Sequence, residues 1–219
     1  MKTEHQNCRN FMKKLDPDRW QNIVWYPELN VNYFAVTKAV CTAMMASLGK
    51  IDIIDSNSSR YDYIYDSLTF ITKEYAQTNG CKNISVIRHP YNRVISLYKH
   101  FVLKDPSRVK ELQTGLEVND LKDVDDFVAK VIPHFPAKNA NHHLKSINHF
   151  LCDKKGNVVP DLIFKIEEDK EKIKIFLASL GCDFKVANTS SFNVELSNES
   201  KDIIFERYQK DFNLFKFER

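Results

Sequence analysis

Asn83-Ile-Ser-Val-Ile-Arg-His-Pro-Tyr-Asn-Arg-Val-Ile-Ser-Leu-Tyr98 changes character twice along its length. Residues 83–87 form a short apolar run rich in branched side chains, the pattern of a strand buried on both faces. Arg88 leaves the carboxyl end of that strand as a planar fork of donors, a shape matched to phosphate. Pro90 suits the first turn of a helix, which is expected to run to about residue 101. Ser96 lies eight residues beyond Arg88, about two helical turns on, where its hydroxyl adds a donor for the same anion. Strand, basic turn and helix form the repeating unit of an α/β domain around a mostly parallel sheet.

The same unit recurs on both sides. Upstream, residues 32–36 are strand-prone and end at Thr37-Lys38, and residues 40–48 favour a helix closed by Gly49. A further strand is expected at 51–55, a polar loop at 56–65, and a helix from a Ser67 cap to about residue 77. Downstream come a polar loop or lid over 104–122, a helix over Val124–Val131, a histidine-rich stretch, a strand at 162–166 and a helix at 168–180. A last amphipathic helix over 197–212 brings Phe205, Tyr208, Phe212 and Phe215 to one face, where they close the core. Residues 1–31 read as an irregular lead-in with one short helix, residues 32–216 as the core of one domain spanning 1–219.

Ligands of open α/β sheets bind beyond the carboxyl ends of the strands, and Lys38 and Arg88 stand at two such ends. Lys38, Ala39, Val40, Cys41 and Thr42 form a turn into a helix, offering an ammonium, backbone N–H groups and a hydroxyl to one anion. The turn is not a Walker loop, since Lys38 lies between Thr37 and Ala39 and not between glycine and a hydroxyl residue. Only 5 glycines in 219 residues agree with that exclusion.

Composition narrows the classes further. With 43% hydrophobic and 28% charged residues the chain is an ordinary globular protein. A net charge of +3 is too small to imply nucleic acid, and suits one local basic site for a polyanionic small molecule. No secretory h-region or membrane-spanning stretch is evident, and five dispersed cysteines without a C-x-x-C pair read as reduced thiols in a cytoplasmic setting. His142, His143 and His149 fit no standard zinc spacing, so no metal site is expected.

The run Thr37-Lys-Ala-Val-Cys-Thr42 resembles the 5'-phosphosulfate loop of the Golgi-type carbohydrate sulfotransferases, sulfotransferase family 2, with Thr37 in place of a usual proline. The stretch from Ile84 to Tyr98 resembles that family's 3'-phosphate element, with His89 in place of aspartate. His143-Leu-Lys-Ser-Ile-Asn-His-Phe-Leu151 is similar to its histidine segment, with Ile147 in place of glutamine. Asp161-Leu-Ile-Phe-Lys-Ile-Glu167 and Tyr208-Gln-Lys-Asp-Phe-Asn-Leu-Phe215 resemble its later strand and its ending.

The resemblance implies a three-layer, P-loop-like sulfotransferase fold with a mostly parallel central sheet. It implies 3'-phosphoadenosine 5'-phosphosulfate (PAPS) as co-substrate, without a required metal, and a hydroxyl acceptor on a glycan or glycolipid. Lys38 would contact the sulfuryl group, residues 38–42 and Thr42 above all the 5'-phosphate, Arg88 with Ser96 the 3'-phosphate, and His143 would be the base. Arg93 is expected to be structural, salt-bridged on its helix face, and Glu167 to be an ion-pair partner. The alternatives are a P-loop-type nucleotide kinase or NTPase, and a non-catalytic nucleotide- or partner-binding descendant of the same fold.

Overall fold

A computed structural model describes residues 23–49, 69–112, 116–133, 142–186 and 192–219. The strand expected at 51–55, the loop at 56–65 and the helix of the lead-in lie outside the described residues. Five strands, β1 (Ile23–Tyr26), β2 (Val31–Ala35), β3 (Thr69–Phe70), β4 (Lys82–Ile87) and β5 (Leu162–Lys165), form one sheet in the order β3-β1-β2-β4-β5. β2, β4 and β5 are parallel neighbours, while β1 pairs antiparallel with both β2 and β3. Four strands therefore run one way and only β1 runs against them, the mostly parallel sheet expected from alternating strands and helices.

Helices cover both faces. Val24, Tyr26, Tyr33, Ala35, Ile84, Val86 and Phe164 pack beneath the helices Cys41–Ser47 (α1) and Lys170–Ser179 (α6). Ile23, Phe34, Val36 and Ile87 face the other layer, made of α2 (Lys73–Ala76), α3 (Pro90–Tyr98), α4 (Val124–Val131), α5 (Ile147–Leu151) and α7 (Asn198–Phe215). Alternate residues of a strand point to opposite faces, so one apolar run feeds two cores. The C-terminal aromatics Tyr208, Phe212 and Phe215 are buried in the second core, as their spacing predicts.

Four expectations change. The lead-in does not reach residue 31, because Ile23-Val-Trp-Tyr26 is a strand that turns back into β2 through Pro27–Leu29 and a left-handed Asn30. The helix expected from Ser67 shrinks to Lys73–Ala76, since Thr69–Phe70 pairs with β1 and the Thr72 hydroxyl accepts the Tyr75 N–H as the cap. Beyond Tyr98, α3 widens into a π-helical segment, Lys99–Lys104, which buries Phe101 completely. The stretch expected as a loop or lid contains two 3-10 turns, Pro106–Leu112 and Val118–Asp120. Among the described residues no helix is long and apolar enough to cross a membrane.

Candidate active site

Parallel neighbours present their carboxyl ends on one edge of the sheet, and here the residues that follow β2, β4 and β5 meet there. The β2 exit is an unusual turn. Lys38 (φ 64°) and Val40 (φ 52°) are both left-handed, a backbone that costs an L-residue about 1–2 kcal/mol and is worst for a branched side chain. Fully buried Ala39 sits between them, its N–H bonded to Val36 O at 3.2 Å, and α1 begins directly after with Met44 N–H on Val40 O at 3.0 Å. Cys41 and Thr42 open that helix, both half-buried. Burial pushes the Cys41 thiol up, against the opposing pull of Lys38 and of the Thr42 backbone and hydroxyl.

Arg88 stands at the β4 exit, half-buried. Its Nη1 reaches the Lys38 carbonyl at 3.5 Å, linking the two strand ends. Its Nε lies 3.5 Å from Glu167 Oε1, just beyond β5, and among the described residues it makes no hydrogen bond although the atom is buried. A buried guanidinium N–H without an acceptor is the deficit that an incoming anion oxygen would satisfy, so the residues fit a phosphorylated ligand. Glu167 is the ion-pair partner expected of it, and it also accepts from His89 N at 3.2 Å and Asn92 Nδ2 at 2.9 Å. Ser96 is half-buried on α3, and among the described residues no hydrogen bond joins it to Arg88.

His89 explains its own departure from aspartate. Its Nδ1 accepts the Tyr91 N–H at 3.3 Å, the capping bond a carboxylate would make, and its Nε2 meets Glu218 O at 2.9 Å. The tautomer with its proton on Nε2 satisfies both contacts.

His143 comes from far along the chain, and Phe101 joins it to Lys38. The Lys38 ammonium lies 5.8 Å from the Phe101 ring centroid, and the His143 ring meets the same phenyl edge-on at 5.1 Å. His142 stacks on His143 at 4.0 Å, so the two imidazoles form one block. The segment that carries them is held from outside. Tyr208 Oη donates to Leu144 O at 2.9 Å, and the buried Asp211 carboxylate accepts from Ile147 N at 2.6 Å and from Asn148 N and Nδ2 at 2.8 Å. Asp211 thus caps α5, with burial raising its pKa against these bonds. At the other end of α5, Lys73 Nζ donates to His149 O at 2.8 Å and Cys152 O at 2.7 Å, and burial lowers its pKa to about 8.

Arg93 is the residue that sequence reasoning undervalued. It is structural but makes no surface salt bridge: it is 3% exposed, and among the described residues no carboxylate pairs with it. Nε donates to Thr37 O at 3.0 Å, while Nη2 reaches Thr37 Oγ1 at 3.3 Å, His143 O at 3.2 Å and Lys145 O. Thr37 Oγ1 itself donates to His142 O at 3.1 Å. A depression of about 230 Å³, lined by Ser146, Asn148, Arg207, Tyr208 and Lys210, lies beside this segment and contains none of the expected site residues. The match to known sequences is at family level: the model described as "Sulfotransferase family" matches residues 21–218. No curated protein and no solved structure matches the chain.

Proposed function

The chain belongs to the sulfotransferase family, and from that premise we propose that it transfers a sulfuryl group from PAPS to a hydroxyl of a glycan or glycolipid. PAPS supplies the activated sulfuryl group, and the rest is positioning and charge. Such transfers pass through a loose transition state with charge on the leaving and peripheral oxygens, which favours fixed cations. In this reading Lys38 offsets the charge that grows on the oxygen bridging sulfur to the 5'-phosphate, while residues 38–42, with the Thr42 hydroxyl, hold that phosphate. Arg88 holds the 3'-phosphate, with Ser96 two turns along α3. His143 takes the acceptor proton as the acceptor oxygen bonds to sulfur, and the electron pair of the broken S–O bond stays on the departing 5'-phosphate.

The observation that supports this most is the convergence on Phe101: groups more than a hundred residues apart in sequence, Lys38 and His143, lie against one ring. The buried, unsatisfied Arg88 Nε supports a second anion position beside the first. The family match argues against the nucleotide kinase. We further read the chain as one domain in a cytoplasmic setting, the placement that five dispersed cysteines without a C-x-x-C pair favour.

Ligand-induced stabilisation tests the donor. At a hundredfold excess over its dissociation constant, 3'-phosphoadenosine 5'-phosphate (PAP) should stabilise the protein by about 2.7 kcal/mol, with AMP far weaker at the same concentration. Equal thermal shifts from ATP with magnesium would sink the assignment. Sulfur-35 PAPS offered to a panel of chondroitin and heparosan hexasaccharides, galactosylceramide and simple alcohols then identifies the acceptor.

A further inference from the structure

We infer that Arg93 is a positioning residue for sulfuryl transfer, one that holds the Lys38 turn and the His143 segment in a single register. The inference rests on the roles proposed above for Lys38 and His143. Its ground is the set of acceptors that one guanidinium satisfies. Thr37 O and Oγ1 belong to the turn immediately before Lys38; His143 O and Lys145 O belong to the segment that carries the base. No described backbone hydrogen bond outside the helices and strands joins these two stretches. Thr37 Oγ1 closes the bracket by donating to His142 O while accepting from Arg93.

The chemistry requires a side chain of this kind. Carbonyl oxygens on two separate stretches need a donor with several N–H groups in a fixed plane, and a lysine ammonium cannot span them with the same geometry. The guanidinium is also braced from behind: its carbon lies 5.8 Å from the Tyr208 ring centroid, and Tyr208 itself donates to Leu144 O within the same segment. Arg93 thus reaches no reacting atom. It fixes the distance between the group that would meet the leaving oxygen and the group that would take the acceptor proton. Misplacing a reacting partner by about 1 Å costs about a hundredfold in rate.

The test compares Arg93→Lys, Thr37→Val and the double variant with the parent chain. Each protein's active sites are counted by PAP titration, and turnover is measured at saturating PAPS with the best-sulfated glycan of the panel, alongside PAPS hydrolysis without acceptor. Arg93→Lys is expected to bind PAP within about threefold of the parent, to keep both KM values within about threefold, and to lose about ten- to a hundredfold in kcat per site. Thr37→Val should lose less, and the double variant should fall short of the product of the single losses, because both residues act on one bracket. A residue needed only for folding would lower the number of binding sites and leave kcat per site unchanged. Parent-like kcat per site in a folded Arg93→Lys protein, or independent losses in the double variant, overturns the inference alone. If Arg93→Lys does not fold, Thr37→Val decides, and normal kcat there overturns it. A parent chain that neither binds PAP nor transfers label overturns the sulfotransfer reading, and this inference with it.

Discussion

The turn that carries Lys38 and the segment that carries His143 reach the same phenyl ring by opposite means. The turn is built from its own neighbours: β2 delivers it, two left-handed residues bend it, and α1 starts at once. The histidine segment has little local structure, only the short helix α5, and hangs from side chains elsewhere. Asp211 caps the start of α5, Lys73 closes its end, Tyr208 holds Leu144, and Arg93 ties it to the turn. One half of the site is thus written locally and the other by long-range hydrogen bonds, and substitutions should divide the same way.

The sharpest contrast comes from Lys38→Ala. Alanine adopts the left-handed backbone no worse than lysine, so the turn should persist while the cation is lost. We expect kcat to fall by about 10²–10³, as for removal of one transition-state donor, with PAP still bound. The loss of its contact with Phe101 should lower stability by no more than about 1 kcal/mol. Normal turnover at saturation would break the comparison on its local side.

Asp211→Ala attacks the other side. It strips the buried N–H groups of Ile147 and Asn148 of their acceptor, and urea unfolding should show a loss of about 3 kcal/mol. PAP affinity, which in this reading depends on the strand ends, should survive in the folded fraction. A variant as stable as the parent would show that α5 holds itself.

The smallest effect is titrational. Burial lowers the Lys73 pKa from its ordinary value near 10.5 to about 8, so between these values the unfolded chain holds a proton that the folded chain has released. Stability contributed by this site therefore rises with pH across that window and is flat below it. Tyr33 and Cys41, raised by burial, pull the other way in parent and variant alike. The difference in unfolding free energy between the parent and Lys73→Met isolates Lys73. It should grow in favour of the parent by about 1–2 kcal/mol from pH 8 to 10. A constant difference would show that burial does not depress the Lys73 ammonium in the folded chain.

How far the sequence could be read follows the same division. The β2–Lys38–α1 and β4–Arg88–α3 units are contiguous, so periodicity, Pro90 and the basic residue at each strand end located them, and Val124–Val131 was bounded by its neighbours to the residue. β1 was missed because a four-residue strand inside the sheet is defined by its pairing with β2 and β3, which periodicity over residues 1–31 does not show. Arg93 was read as a surface residue because its acceptors are main-chain carbonyls some fifty residues distant, which leave no pattern in side-chain identity. Asp211 did leave a signal: a lone acid among Ile204, Tyr208, Phe212 and Phe215 on the buried face of α7 marks a group whose hydrogen bonds must be met inside.

Consider the order in which the ribosome delivers these parts. Asp211 and Tyr208 lie on α7, the last element, whereas the turn, Arg93 and the histidines that they help to fix precede residue 150. A nascent chain that has emerged through residue 197 carries the sheet and both basic strand ends, but its α5 has no cap and its Leu144 carbonyl no donor. The residues proposed to hold the nucleotide are complete in sequence long before the contacts that fix the histidine segment. During synthesis, then, the chain passes through a stage in which both basic strand ends are present while the segment proposed to carry the base lacks its α7 partners.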